Sequence, residues 1–190
     1  MKNLYIISGC NGAGKTTASY TILPDILNCK EFVNADEIAK GLSPFTPDNA
    51  AIQAGRLMLE KISILIRSDK DFAFETTLAT KSYKNLVAKA KDNGYKVTLL
   101  FFWLRTPELA IKRVEVRVQE GGHNIPKDVI LRRYDNGLNN FFNIFKSIVD
   151  EWMFIDNSGS PYEIIAEGNS ENETISNKSQ WSILTNNYTK

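Results

Sequence analysis

The stretch at residues 9–16, with the sequence GCNGAGKT, is the feature that most constrains how this chain can fold. It matches G-x-x-x-x-G-K-[ST], the loop that binds phosphate groups between a strand and a helix. An apolar run precedes it and a segment with helical character follows, as this loop requires. Its glycines let backbone N–H groups point inward, where they and the next helix attract an anion. A glycine-rich turn without a ligand is the alternative, but four fixed residues in this context favour a nucleoside triphosphate site.

The residues of this loop have separate expected roles. Lys15 is expected to reach the β- and γ-phosphates, and the Thr16 hydroxyl is expected to be a ligand of Mg²⁺. The expected nucleotide contacts are Gly9, Asn11, Gly12, Ala13, Gly14, Lys15, Thr16 and Thr17.

Composition limits the class of protein. The chain has 190 residues, of which 43% are hydrophobic and 24% charged, so we expect one soluble globular domain. A formal net charge of +1 provides no overall field for nucleic acid or an anionic membrane, and we expect neither as a partner. The only two cysteines, Cys10 and Cys29, provide neither a disulfide framework nor a zinc site. With no apolar run near the ~20 residues that cross a bilayer, we predict a cytoplasmic protein.

Strand and helix patterns alternate along the chain. Strands are predicted at 4–8, 31–36, 71–75, 96–104 and 152–156, with a further candidate at 162–166. Helices are predicted from about 14 to before Pro24, and at 48–67, 82–93, 107–120 and 126–149. This alternation predicts an α/β fold of the P-loop NTPase type, in three layers, with a mainly parallel central sheet and a helical lid.

The predicted domain organisation is simple. Residues 1–168 form one P-loop domain, with the lid around 113–135. Residues 169–190 are rich in polar side chains and form a tail that can dock one short helix.

Two carboxylates follow predicted strands, at the sheet edge where ligands of such folds bind. Asp36 could be a ligand of Mg²⁺ or the base that takes a proton from an acceptor hydroxyl. A helix N-cap is an alternative role for Asp36, and both roles can hold together. Glu75, Thr76 and Thr77 could hold Mg²⁺ through water or bind an acceptor, whereas the alternative is a strand end that caps the next helix.

Four arginines follow on two predicted helices. Arg113 and Arg117 are four positions apart and therefore share a helix face, and Arg132 with Arg133 lies on the next helix. The glycine-rich turn at 121–126 joins the two helices, as in a lid that closes guanidinium groups onto a transferring phosphoryl group. The alternative is an exposed charged helix whose arginines pair with glutamates of the same helix.

His123 is the only histidine, and without cysteine or histidine partners it does not indicate zinc. We expect it to support the turn or contact phosphate.

Taken together, these segments resemble the zeta toxin family over residues 3–160. The segments that carry the resemblance are the loop 9–16, Asn34–Asp36, Phe74–Leu78, Arg113 with Arg117, residues 121–134 and Asp156–Ser158. The resemblance implies a phosphoryl transferase of nucleotide-kinase-like fold. The best-known members phosphorylate the 3′-hydroxyl of the amino sugar in UDP-N-acetylglucosamine, with ATP or GTP and Mg²⁺. A small antitoxin often blocks their nucleotide site, and here it would be a separate protein.

The resemblance also assigns roles to residues. The implied catalytic residues are Lys15 and Asp36, together with lid arginines that stabilise transition-state charge. The resemblance does not fix which of the four arginines does so, and Arg117 and Arg132 are taken as the candidates. The implied substrate-binding residues are Asp36, Glu75, Thr76, Thr77, Arg113 and Arg133. Thr16 is the implied metal ligand, with Asp36 or Glu75 as a further candidate.

One departure from the family concerns the acceptor. The plasmid-borne toxins have an arginine shortly after the threonine of this segment, but this chain continues Leu78-Ala79-Thr80 with Lys81 as the nearest cation. Lysine and arginine are not equivalent in binding a diphosphate. The prediction that the protein is a kinase is therefore stronger than the prediction that its acceptor is a nucleotide sugar.

Three other functions fit parts of the pattern. A metabolite kinase of another specificity uses the same residues. A nucleotide-binding switch or interaction protein with little kinase activity does not need the carboxylates and arginines. An enzyme acting on the 5′-hydroxyl of a nucleic acid is disfavoured by the near-zero net charge.

Overall fold

A single sheet forms the centre of the molecule in this computed structural model, which describes residues 2–122 and 124–189. Its strands are β1 (Lys2–Gly9), β2 (Glu31–Val33), β3 (Phe72–Thr76), β4 (Tyr95–Trp103), β5 (Glu151–Asp156), β6 (Glu163–Asn169) and β7 (Glu173–Ile175). Their order across the sheet is β2-β3-β1-β4-β5-β6-β7. Strands β1 to β5 are parallel, whereas β6 and β7 add antiparallel pairs at one edge. The predicted α/β class with a mainly parallel sheet is confirmed.

Helices connect these strands. They are α1 (Lys15–Thr21), α2 (Ala35–Leu42), α3 (Ala51–Arg67), α4 (Tyr83–Asp92), α5 (Pro107–Gln119), α6 (Lys127–Asn140), α7 (Lys146–Ile148) and α8 (Lys178–Tyr188). A 3₁₀ turn, Pro47–Ala50, precedes α3, and a π-helical turn, Phe141–Phe145, joins α6 to α7.

The first helix differs from its prediction, because the chain does not leave the helical path before Pro24. A π-helical turn, Ile22–Ile26, follows α1 and includes this proline. The N–H groups after the proline supply the hydrogen bonds: Leu27 N donates to Ile22 O (3.0 Å) and Cys29 N to Leu23 O (2.8 Å). Because these wider turns use donors beyond Pro24, its missing N–H does not break the helix there.

The core covers both faces of the central strands. Strand β4 reads as an almost continuous apolar run, and its last five residues are all buried. Phe101 stacks on Phe154 of the neighbouring strand β5, with ring centroids 5.2 Å apart. Burial on both faces is the usual environment of an inner parallel strand.

The residues after Gly168 contribute to the sheet and to the core. Strand β7 pairs with β6, and α8 places Trp181 against Trp152 in a stacked pair with centroids 5.5 Å apart. The Lys146 ammonium lies 4.8 Å from the Trp152 ring and 5.1 Å from the Trp181 ring, in cation–π geometry. Strand β7 is short and polar, and its sequence therefore carries no strand signal.

Across the two described ranges, the helices lack the combination of length and apolar character needed to cross a membrane.

Candidate active site

The loop between β1 and α1 is held in shape by close approaches to its glycines. A Cβ atom on Gly9, whose φ is +138°, would lie 2.1 Å from the Phe102 carbonyl oxygen. Gly14 has a left-handed φ of +79°, and a Cβ there would lie 2.4 Å from Nδ2 of Asn157. The same Nδ2 donates to the Ala13 carbonyl at 2.8 Å, which ties the loop to the end of β5. The loop therefore requires glycine at these positions.

The cation and the hydroxyl of the loop meet a carboxylate from the adjacent strand. Parallel pairing of β1 with β3 sets Ile7 opposite Glu75, so that Glu75 lies beside the loop that follows β1. Thr16 Oγ1 donates to Glu75 Oε2 at 2.8 Å. Lys15 Nζ lies 3.6 Å from Glu75 Oε1 and donates to the Cys10 carbonyl at 3.0 Å. Lys15 is only 6% exposed, so Glu75 is the counter-charge of a buried ammonium group.

These oxygens match the donors that Mg²⁺ prefers. Mg²⁺ commonly binds one or two carboxylates together with substrate phosphates and water. The Thr16 hydroxyl and the Glu75 carboxylate already lie within hydrogen-bonding distance of each other at the phosphate loop, so the donor set fits the ion.

Asp36 lies in the first turn of α2, but the predicted alternative that Asp36 caps this helix is wrong. The N-cap is Asn34, whose Oδ1 accepts from Asp36 N at 2.8 Å and from Glu37 N at 3.4 Å. Asn34 also donates from Nδ2 to Glu75 Oε2 at 2.9 Å. The Asp36 side chain lines the cleft beside the phosphate loop, as a base or metal ligand requires.

The end of β3 and the segment that follows it bring hydroxyl groups to the cleft. Thr76 Oγ1 accepts from Leu78 N at 3.1 Å, within a turn where Leu78 has a left-handed φ of +57°. The N-cap of α4 is Ser82, so the alternative that Glu75–Thr77 caps this helix is wrong. Burial raises the pKa of the Tyr83 phenol, and a hydrogen bond with Thr76 acts in the opposite direction.

Two arginines are anchored beside the loop. Arg133 donates from Nη1 to Asn11 Oδ1 at 3.1 Å, which links α6 to the phosphate loop. Burial lowers the pKa of Arg133, while the charge of Asp36 raises it. Arg113 donates from Nη2 to the Ser158 carbonyl at 3.2 Å.

The two arginines at the centre of the lid prediction differ in placement. Arg117 lines the cleft, whereas Arg132 is exposed and does not line it. The inward face of α6 carries Ile130 and Tyr134, and Arg132 lies between them on the outer side.

Gly122, just after α5, contacts that helix. Gly122 N donates to the Arg117 carbonyl at 2.8 Å, and Ile125 is buried. Glu115 of α5 pairs with Lys127 of α6 at 2.9 Å. The prediction for His123 lies outside the described residues.

A cleft of about 510 Å³ brings these groups together. Of the predicted site residues, it is lined by Asn11, Gly12, Gly14, Lys15, Thr16, Thr17, Asp36, Glu75, Thr76, Thr77, Arg113, Arg117 and Arg133. Gly9, Ala13 and Arg132 do not line it, and Ala13 is fully buried beneath the loop.

Further lining residues were not among the predicted site residues: Asn34, Ala35, Met58, Thr80, Tyr83 and Glu120. Position relative to β2 could have indicated Asn34, since it directly follows that strand. No sequence pattern indicates Met58 or Tyr83, which reach the cleft from helices.

Comparisons with known proteins identify the family and the fold of the chain. A family model described as zeta toxin matches residues 1–166. An uncharacterized protein of Haemophilus influenzae is 32% identical over 126 residues, which are 66% of this chain and 88% of that protein.

Two solved systems share the fold. The PezAT chromosomal toxin–antitoxin system of Streptococcus pneumoniae matches with a TM-score of 0.71 and 18% identity, over 94% of this chain and 76% of that one. AvrRxo1-ORF1:AvrRxo1-ORF2 with sulphate ions matches with a TM-score of 0.76 and 15% identity, over 97% of this chain. Its complex with ATP matches with a TM-score of 0.73 and 14% identity, also over 97% of this chain. This chain spans only 64% of the length of that protein.

The family model covers most of the chain, including the loop, the carboxylates and the arginines that line the cleft. The fold is that of P-loop kinases, and the chain belongs to the zeta toxin family.

Proposed function

We propose that this protein is a kinase that transfers the γ-phosphoryl group of ATP to a hydroxyl group of a small molecule. The observation that carries the proposal is the shared cleft, where the phosphate loop, Asp36, Glu75 and three arginines face one another. A protein that only binds nucleotide needs the loop but not this set of side chains. Membership of the zeta toxin family supports the same reaction.

The expected chemistry assigns one step to each group. The acceptor hydroxyl oxygen attacks the γ-phosphorus, the bond from that phosphorus to the β,γ-bridging oxygen breaks, and ADP leaves. Asp36 accepts the proton of the hydroxyl group, and Lys15 holds the β- and γ-phosphates. The Thr16 hydroxyl and Glu75 would hold Mg²⁺, which would neutralise phosphate charge when bound.

The arginines are expected to stabilise the charge of the transferring group. Arg117 and Arg133 line the cleft, and we assign this role to them. The role predicted for Arg132 is transferred to Arg133, because Arg132 is exposed outside the cleft. Arg113 is the third arginine of the cleft and is proposed to contact the substrate.

The acceptor that family membership suggests is UDP-N-acetylglucosamine. The hydroxyl wall of Thr76, Thr77, Thr80 and Tyr83 suits a sugar, while the missing arginine after Thr77 favours a test of other hydroxyl compounds as well. The solved toxin–antitoxin system of the same fold supports a separate antitoxin as a partner. We further propose that the protein acts in the cytoplasm.

The decisive experiment is turnover of Mg²⁺-ATP with and without UDP-N-acetylglucosamine, with the mass of the sugar as the readout. A gain of one phosphoryl group that Asp36→Asn lowers by about 10²- to 10⁴-fold supports the reaction and the base. Glu37→Gln is the matched control, because Glu37 is the next residue of the same helical turn and its exposed ion pair is with Lys40 (2.7 Å).

The other outcomes contradict parts of the proposal. Full turnover by Asp36→Asn would exclude Asp36 as the base. Binding of ATP without transfer to any compound of a broad hydroxyl screen would favour a nucleotide-binding switch.

A further inference from the structure

Asn34 uses both ends of its side-chain amide to join the backbone of Asp36 to the carboxylate of Glu75. Its Oδ1 accepts from the backbone N–H of Asp36, and its Nδ2 donates to the carboxylate of Glu75. Asn34 itself is 6% exposed, and both hydrogen bonds are partly buried. The bond to Glu75 involves a charged group, and such hydrogen bonds are among the stronger ones in proteins.

The position of Asn34 follows from strand pairing. Parallel pairing of β2 with β3 sets Val33 opposite Phe74, so that the residues after them, Asn34 and Glu75, lie side by side. The chain then turns into α2 directly after Asn34, which brings Asp36 back toward the same edge.

The surroundings determine the orientation of the amide. A flipped amide would point Oδ1 at the Glu75 carboxylate and the NH₂ group at backbone N–H donors, which would lose the bonds at both ends. Only asparagine among the common N-cap residues combines a cap acceptor with a donor of this reach, since aspartate would place a second negative charge against Glu75.

We propose that Asn34 is a positioning residue for phosphoryl transfer, which sets the base Asp36 and the carboxylate of Glu75 relative to each other. Asn34 fixes the first turn of α2 and with it the direction of Asp36. It also holds Glu75 Oε2 by a donor other than Thr16, so that the carboxylate stays in place when the Thr16 hydroxyl engages a ligand. Because the Asn34 amide is neutral, it positions Asp36 and Glu75 without adding a charge between these two anions. This inference rests on the proposed kinase function.

Two substitutions separate capping from bridging. Asn34→Ser keeps a cap acceptor but is too short to bridge to Glu75, and Asn34→Asp keeps the cap but loses the donor. We expect both to lower the turnover number about 10- to 100-fold, with the KM for ATP within about threefold of the wild type. We expect the melting temperature of Asn34→Ser to stay within about 4 °C of the wild type, because the helix cap is retained. That of Asn34→Asp should fall further, because its carboxylate lies against Glu75.

A second helix cap is the matched control. Asn177 is the N-cap of α8, and its side chain accepts from Gln180 N at 3.2 Å. Asn177→Ser and Asn177→Asp make the same chemical changes away from the cleft, and we expect them to leave turnover unchanged.

The double substitution Asn34→Asp with Glu75→Gln tests the bridge directly, because it reverses donor and acceptor. Thermal unfolding of the two single variants and the double variant gives the coupling energy between the two positions. We expect the double variant to lose less stability than the sum of the losses in the two single variants.

The outcomes distinguish this inference from the proposed function. If the wild type phosphorylates an acceptor but both Asn34 variants turn over at its rate, or if the unfolding effects simply add, only the positioning role is overturned. If the wild type transfers phosphate to no acceptor, the proposed function fails and the positioning role fails with it.

Discussion

Removing the charge of Glu75 should strengthen metal-free binding of ATP. In the structure Glu75 is the counter-charge of Lys15, with Nζ and Oε1 3.6 Å apart and both side chains nearly buried. When the γ-phosphate approaches Lys15, it must replace this partner and also face the repulsion of the carboxylate. Glu75→Gln removes both costs, and its amide can still accept a hydrogen bond from Thr16 in place of the carboxylate.

The size of the effect follows from the geometry. Two unit charges 3.6 Å apart attract by about 5 kcal/mol at an effective dielectric constant of about 20. Desolvation of a buried pair offsets most of this attraction. If the net attraction between Lys15 and Glu75 is about 1.4 kcal/mol, the dissociation constant of Glu75→Gln for ATP should be about tenfold lower than that of the wild type.

Isothermal titration calorimetry in excess chelator measures this constant. With Mg²⁺ present, we expect Glu75→Gln to bind ATP no more tightly than the wild type. A neutral amide is a weaker ligand for the ion than the carboxylate that it replaces. Glu120→Gln is the control, since Glu120 lines the lid side of the same cleft, and a change below about twofold is expected there. An unchanged or weaker metal-free affinity of Glu75→Gln would refute the reasoning.

Three further predictions concern the loop, the lid and the C-terminal helix. Gly14→Ala should weaken ATP binding at least tenfold in calorimetry, because φ is +79° and the added Cβ would lie 2.4 Å from a side-chain nitrogen. Arg133→Ala should lower the turnover number by about 10²-fold or more, whereas Arg132→Ala should change it less than about threefold; equal effects would contradict the assignment. Trp181→Ala should cost about 3–5 kcal/mol in denaturant unfolding, against less than about 1 kcal/mol for Ile183→Ala on the exposed side of α8.

The elements that the sequence predicts best are those with a strong burial pattern. Strands β1, β3 and β4 lie within about two residues of their predicted bounds, because runs such as that of β4 are apolar on both faces. The parallel sheet follows from the alternation of strands and helices. Strand β7 cannot be predicted in this way because it is polar and short, and its position depends on pairing with β6.

The same distinction applies to the candidate site. Lys15, Thr16 and Asp36 could be predicted because a motif or a strand end indicates them. Arg132 and Arg133 are adjacent, and sequence alone does not say which side of α6 faces the cleft; burial of Tyr134 and exposure of Arg132 decide it.

The polar contacts that organise the cleft come mainly from side-chain amides whose partners are distant in sequence. Asn34 reaches Glu75 across 41 positions, Asn11 meets Arg133 across 122, and Asn157 holds Ala13 across 144. An amide carries no charge and little hydrophobic signal, so periodicity cannot indicate its partner. Each of these bonds joins the phosphate loop or a cleft carboxylate to a different element of the fold. Transfer of a phosphoryl group depends mainly on positioning and electrostatics. These amides therefore act on the reaction more directly than the hydrophobic core does, because they hold the groups of the cleft in position.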